Sequence, residues 1–147
     1  MAKINITARR NARSMALQAL YQWVLAGADL SEIEQQFCED FDMKKVEMPY
    51  FRELLHELPK HLAEIDALYV PYLDRDIKML NPIELITIRM GVFELAKHPE
   101  IPYKVAINEA LELNKAFGAE EGYKYVNGVL DKVARQLRSE EIKAAGA

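Results

Sequence analysis

Ala12-Arg13-Ser14-Met15-Ala16-Leu17-Gln18-Ala19-Leu20-Tyr21-Gln22-Trp23-Val24 sets the fold class. Its residues Ala12, Met15, Ala16, Ala19, Leu20, Trp23 and Val24 recur at i, i+3, i+4, i+7, i+8, i+11 and i+12. That period puts them on one side of a helix, as a stripe facing a core. Gly27 marks the stop. Tyr21 lies off the stripe, and an exposed ring there suits a partner.

Working outward, the period stays helical. Leu30-Ser31 opens a second helix, with Ile33, Phe37 and Phe41 on one side. Pro49 suits the first turn of a third, where a missing N–H costs nothing. Phe51, Leu54, Leu55 and Leu58 form its inner face, and Pro59 ends or restarts it. Leu62, Ile65, Leu68, Tyr69 and Tyr72 continue the pattern to Asp74. Asn81-Pro82 reads as an N-cap and a first-turn proline, with Glu84 well placed for the helix dipole. This helix runs through Leu85, Ile88, Val92 and Leu95 to Lys97. Pro102 begins another, with Ala106, Ile107, Ala110, Leu111 and Phe117 inward and Gly118 as a left-handed C-cap. The last starts near Ala119, where Glu120 and Glu121 suit its dipole, and runs to about Arg138 with Tyr123, Val126, Val129, Leu130, Val133 and Leu137 inward. There is no alternating strand run and no internal repeat. The expectation is an all-α protein of about seven helices, one domain over residues 1–147, with 1–6 and 140–147 flexible.

Composition narrows the function. Half the residues are apolar and 29% are charged, which fits a soluble globular protein with a real core. The single cysteine, Cys38, excludes a disulfide within the chain. The neighbouring acids Glu39 and Asp40 raise its thiol pKa, so it reads as a buried or half-buried small hydrophobe and not as a nucleophile. No signal-peptide pattern and no run of about 18 apolar residues is present, which points to the cytoplasm and to no membrane partner. Asn5-Ile6-Thr7 matches the glycosylation sequon by chance. His56-Glu57-Leu58-Pro59-Lys60-His61 imitates a zinc-protease helix, but the histidines are five apart with a proline between them. No glycine loop cradles phosphate, and no carboxylate pair suits acid–base work. No catalysis, cofactor or metal is expected.

Charge points elsewhere. Residues 1–28 carry Lys3, Arg9, Arg10 and Arg13 and no carboxylate, in a chain of formal net charge -4. Three of these lie where a helix begins, at its positive dipole end, where each cation is unfavourable by a few tenths to about 1 kcal/mol. A local excess at that position suits a polyanion, and nucleic-acid phosphate is the commonest one. Residues 29–76 hold thirteen acids against five bases, so the positive site is confined. A second group, Tyr123-Lys124-Tyr125-Val126-Asn127, puts a lysine, a ring and an amide near the start of the last helix. Tyr123 and Val126 fit the core stripe. Tyr125 could stack on an unpaired base, Asn127 could read a base edge, and Lys124 adds charge.

Two stretches carry a resemblance. One is Arg9-Arg10-Asn11-Ala12-Arg13 with Ala19-Leu20-Tyr21-Gln22-Trp23. The other is Ile101-Pro-Tyr-Lys-Val-Ala-Ile-Asn-Glu-Ala-Leu-Glu-Leu-Asn-Lys-Ala-Phe-Gly-Ala-Glu120 with Lys124-Tyr-Val-Asn-Gly-Val-Leu-Asp-Lys132. Together they resemble the NusB family of bacterial transcription antitermination factors, in order and spacing across nearly the whole chain. Pro49-Tyr50-Phe51-Arg52 and Glu94-Leu95 also fit. The resemblance implies an all-α fold of two small packed helical bundles. It implies binding of boxA in nascent RNA together with NusE, a small-subunit ribosomal protein, within an RNA polymerase antitermination complex acting notably in ribosomal RNA operons. It implies that Arg9, Arg10 and Arg13 contact RNA, that Glu121, Lys124 and Tyr125 share that surface, and that Tyr21 and Glu84 face NusE. A homodimer that hides the basic helix would be a form of control. One departure is Gly122-Tyr123, where relatives often carry polar residues. Two other readings compete: a protein-binding helical adaptor without RNA specificity, and a module related to ribosomal RNA cytosine methyltransferases.

Overall fold

The computed structural model describes residues 5–146. They form eight α-helices and no strand. The chain divides into two compact units, one of the residues up to Lys60 and one from His61 onward. The two small bundles implied by the resemblance correspond to these units.

The first unit holds α1 (Ile6–Ala26), α2 (Leu30–Asp40) and α3 (Met48–Lys60). Asn5 caps α1, its side chain accepting the Ala8 N–H at 3.0 Å. Gly27 ends it at φ 65, a left-handed conformation that glycine adopts without strain. Asp29 caps α2 by accepting from the Ser31 and Glu32 N–H groups. α1 packs on α2 and α3. The buried face of α1 is Ala12, Arg13, Ala16, Leu17, Ala19 and Leu20, while Met15, Trp23 and Val24 are only half-buried. The arc is thus wider than one stripe, and Leu17 joins it. Phe51, Leu54, Leu55 and Leu58 of α3 are buried as expected, together with Tyr50.

The second unit holds α4 (Leu62–Tyr69), single 3-10 turns at Val70–Tyr72 and Ile77–Met79, α5 (Pro82–Lys97), α6 (Tyr103–Phe117), α7 (Gly122–Leu137) and α8 (Ser139–Ala144). Helices α5, α6 and α7 pack against one another. At Gly91 a Cβ would stand 2.8 Å from Leu130 Cδ1, so a glycine lets α5 and α7 approach.

Several expectations are corrected. Gly118 ends α6 at φ -102, extended and not left-handed. α7 begins at Gly122, so its first turn has no acid, and Glu121 is its N-cap without a side-chain cap bond. Phe41 and Phe117, expected inward, are exposed, because each sits where its helix ends and the stripe runs out over solvent. Cys38 is exposed as well. Residues 140–144 are helical where a flexible tail was expected, because Arg138 and Glu141 tie them down. The Arg138 guanidinium donates to the carbonyls of Leu95 (3.0 Å), His98 (2.9 Å) and Ile101 (2.9 Å), and to Glu141 Oε1 (2.6 Å). The Glu141 carboxylate accepts the Tyr103 N–H at 2.8 Å. At the other end, Asn5 and Ile6 belong to the start of α1, and residues 1–4 lie outside the described residues.

Candidate nucleic-acid interface

The residues expected to meet RNA fall at two helix starts, one in each unit. At the start of α1, the Arg9 guanidinium donates from Nε (3.2 Å) and Nη2 (2.9 Å) to the two carboxylate oxygens of Glu47. Its Cζ lies 4.2 Å from the centre of the Tyr50 ring, and that of Arg13 lies 5.6 Å from it. The bond to Glu47 holds Arg9 charged above its ordinary range. The Glu47 N–H donates to the Ala8 carbonyl (3.1 Å) and Asn11 Nδ2 to the Lys45 carbonyl (3.0 Å), so the segment before α3 is fastened along α1.

This alters the charge argument. The acid missing from residues 1–28 is supplied by Glu47, thirty-eight positions after Arg9. Arg13 is 5% exposed and lies against Tyr50, so its side chain serves the core as well as any ligand. Arg10 is exposed. Lys3 lies outside the described residues. Tyr21 is 37% exposed, in keeping with its place off the stripe.

At the start of α7, Lys124 Nζ is 2.6 Å from Glu121 Oε2, and both side chains are well exposed, at 65% and 69%. Tyr125 is half-buried. Its hydroxyl oxygen accepts the Asp74 N–H at 3.3 Å, and the Arg75 Cζ lies 4.4 Å from its ring centre. Burial is the main cause that raises its hydroxyl pKa. Arg75 in turn pairs with Asp74 through Nε (2.6 Å) and Nη2 (3.2 Å), and this holds the Asp74 carboxyl below the usual aspartate range. Tyr123, expected in the core, is half-buried and has Lys115 Nζ 4.8 Å from its ring. Asn127 lines an open groove of about 290 Å³ between α6 and α7 with Tyr103, Lys104, Asn108 and Asp131. Two positions along a helix is about 200° of rotation, so Asn127 and Tyr125 face different ways.

The Gly122 departure has a local reason. A Cβ there would stand 2.8 Å from Asn114 Oδ1 and 3.5 Å from Glu84 Cγ. Asn114 is fully buried, and its Nδ2 donates to Thr87 Oγ1 at 3.3 Å. Glu84, expected on the partner face, therefore lies beside the start of α7.

Sequence reasoning missed Glu47, Tyr50 and Arg75 as members of these clusters. Arg75 had one signal: it is the one Lys or Arg between Lys60 and Lys78. The histidine pair has a plainer role. His56 Nε2 is 2.7 Å from Glu34 Oε1, and Arg52 joins the same carboxylate at 3.2 Å. Among the described residues no His/Cys/Asp/Glu group could hold a metal ion, and no helix is long and apolar enough to cross a membrane.

The model of the NusB family matches residues 10–135. A relative from Legionella pneumophila (strain Corby), named transcription antitermination protein NusB, is 53% identical over 142 residues, covering 97% of each chain. One of the same name from Hahella chejuensis is 51% identical, covering 93% of this chain and 92% of its own. Among solved structures, T. maritima NusB aligns with a TM-score of 0.77 at 27% identity, over 97% of this chain and 99% of that one. A structure of antitermination factors NusB and NusE in complex with dsRNA aligns with a TM-score of 0.79 at 27% identity, over 90% of this chain and 99% of that one.

Proposed function

The chain belongs to the NusB family, and we propose that it binds boxA of nascent RNA together with NusE and promotes read-through by RNA polymerase, notably in ribosomal RNA operons. It is a non-enzymatic factor of the cytoplasm. The observation that carries this reading is the near-complete match to relatives named for transcription antitermination, joined to the structural likeness to a NusB–NusE complex with RNA. The physical support is a cation-rich α1 start and an exposed Lys124 beside Tyr125.

Arg9, Arg10 and Arg13, with Lys3 before them, supply phosphate contacts, Arg10 being the exposed member. Lys124 adds a further contact and Tyr125 stacks on a base. Asn127 contributes through the α6–α7 groove. Tyr21 and Glu84 meet NusE. A homodimer that covers α1 would act as an off-state.

The test is a titration of single-stranded boxA RNA with and without NusE at several salt concentrations. Binding should weaken steeply with salt, and NusE should tighten RNA binding by the factor by which RNA tightens NusE binding. Tyr21→Asp should weaken NusE binding and leave the RNA affinity of the lone chain unchanged, and Glu84→Lys should weaken NusE binding. The adaptor reading gains from the commitment of Arg9 to Glu47. It would prevail if the chain bound NusE and showed no salt-dependent RNA binding.

A further inference from the structure

Arg75 sits in the most acidic part of the chain, between two 3-10 turns of the second unit. Its side chain is 45% exposed. It does not extend into solvent, because the guanidinium lies over the Tyr125 ring. Two contacts hold it there. The Asp74 carboxylate grips Nε and Nη2, and the Asp74 N–H donates to the Tyr125 hydroxyl oxygen, which ties the backbone beside Arg75 to the ring. A base approaching that side of Tyr125 meets the guanidinium plane first. Guanidinium planes and aromatic rings both stack on unpaired bases.

We propose that Arg75 is a further RNA-contacting residue, its guanidinium and the Tyr125 ring forming one stacking platform for an unpaired base. The proposal rests on the RNA-binding reading above. The Asp74–Arg75 pair is solvent-exposed, and such pairs contribute little to stability. A phosphate oxygen can therefore take the place of the Asp74 carboxylate while the guanidinium stays on the ring. Arginine, unlike lysine, can stack and donate in its plane at once. Lys124, one residue from Tyr125, supplies a second cation at the same helix start.

The experiment titrates single-stranded boxA RNA against the full chain and its Arg75→Ala and Arg75→Lys variants, by fluorescence anisotropy at several salt concentrations. Arg75 is exposed and outside the helices, so the variants should keep the wild-type circular dichroism spectrum. Arg75→Ala should bind about fivefold more weakly or worse. Its log–log salt slope should flatten by about 0.7, one phosphate contact on a single strand. Arg75→Lys should keep the slope and still bind more weakly than wild type, for want of a plane. Wild-type affinity and slope in Arg75→Ala would overturn the proposal and leave the RNA reading standing. A weaker Arg75→Ala with an unchanged slope would also overturn it, by making Arg75 a support for Tyr125 and not a contact. Wild-type affinity in Arg75→Lys would remove the stacking platform. Failure of the wild-type chain to bind the RNA would instead sink the RNA reading, and the proposal with it.

Discussion

At the start of α1, Arg9 is held by Glu47 above Tyr50, and its side chain is 17% exposed. At the start of α7, Lys124 is held by Glu121, three residues before it, and both side chains stand in solvent. Both regions join a cation, an acid and a nearby ring. The first acid comes from thirty-eight residues away and brings a backbone segment with it. The second comes from the preceding turn and brings nothing. A ligand phosphate can compete for Lys124 by displacing one exposed side chain. To compete for Arg9 it must disturb the junction between α1 and α3. The α1 start is thus largely architecture, whereas the α7 start is an exchangeable surface.

The largest effect that would test this contrast is on stability. Glu47→Ala leaves the Arg9 guanidinium largely buried without its bidentate acceptor. Removing a partner from a charged hydrogen bond in such a setting is destabilising by about 1.5–3 kcal/mol. Urea unfolding of the variant should show that loss, and an Arg9→Ala, Glu47→Ala double-mutant cycle should assign most of it to the pair. A loss below about 0.5 kcal/mol, as in ordinary exposed pairs, would erase the distinction between the two helix starts.

Arg10 is the exposed arginine of the α1 start. Arg10→Ala should flatten the salt slope of boxA binding by about 0.7. Arg9→Ala and Arg13→Ala should instead lose stability and RNA affinity together. If Arg10→Ala leaves the slope unchanged, the phosphate contacts belong to the other arginines and the contrast must be redrawn.

What the sequence revealed follows the same division. Helix positions were legible because the apolar period, Asn81-Pro82 and Gly27 act within a few residues of themselves. The exposure of Tyr21 was legible for the same reason. Glu47 was not, because nothing local to residues 1–28 reports an acid that folds back onto Arg9. Arg13 was read as a displayed cation because its burial depends on Tyr50, which belongs to another helix. Glu120 and Glu121 made Ala119 look like a helix start. The real start is Gly122, where the buried Asn114 amide leaves no room for a Cβ. The tail from residue 140 was read as flexible because its helix is held by Arg138 contacts with carbonyls about forty residues earlier.

Glu121→Asn probes the exchangeable side. The substitution removes an acid near the proposed RNA surface and releases Lys124 from its ion pair. BoxA binding should tighten, while stability changes by no more than about 1 kcal/mol, because the pair is exposed. Anisotropy titration beside urea unfolding checks both halves. Weaker RNA binding would mean that Glu121 itself accepts a bond from the RNA, so that its pairing with Lys124 does not restrain RNA binding.

The smallest effect is a titration. The hydrogen bond from Arg75 lowers the Asp74 carboxyl pKa, with the Tyr125 hydroxyl adding to it. A carboxylate whose folded pKa is depressed contributes stability above its unfolded pKa, and loses that contribution as pH falls through the folded value. Between those two values the Asp74–Arg75 pair should persist in the folded chain while an aspartate in the unfolded chain already binds a proton. The group is fully exposed, so the readout is the Asp74 carboxyl carbon shift by NMR and not the melting temperature. Its midpoint should lie below the usual aspartate range in the wild type, move up toward that range in Arg75→Ala, and move up less in Tyr125→Phe. Saturating the chain with boxA RNA should act like Arg75→Ala if phosphate replaces Asp74 on the guanidinium. An Asp74 midpoint that RNA leaves unmoved would mean that the pair stays closed, and the α7 start would then be no more exchangeable than the start of α1.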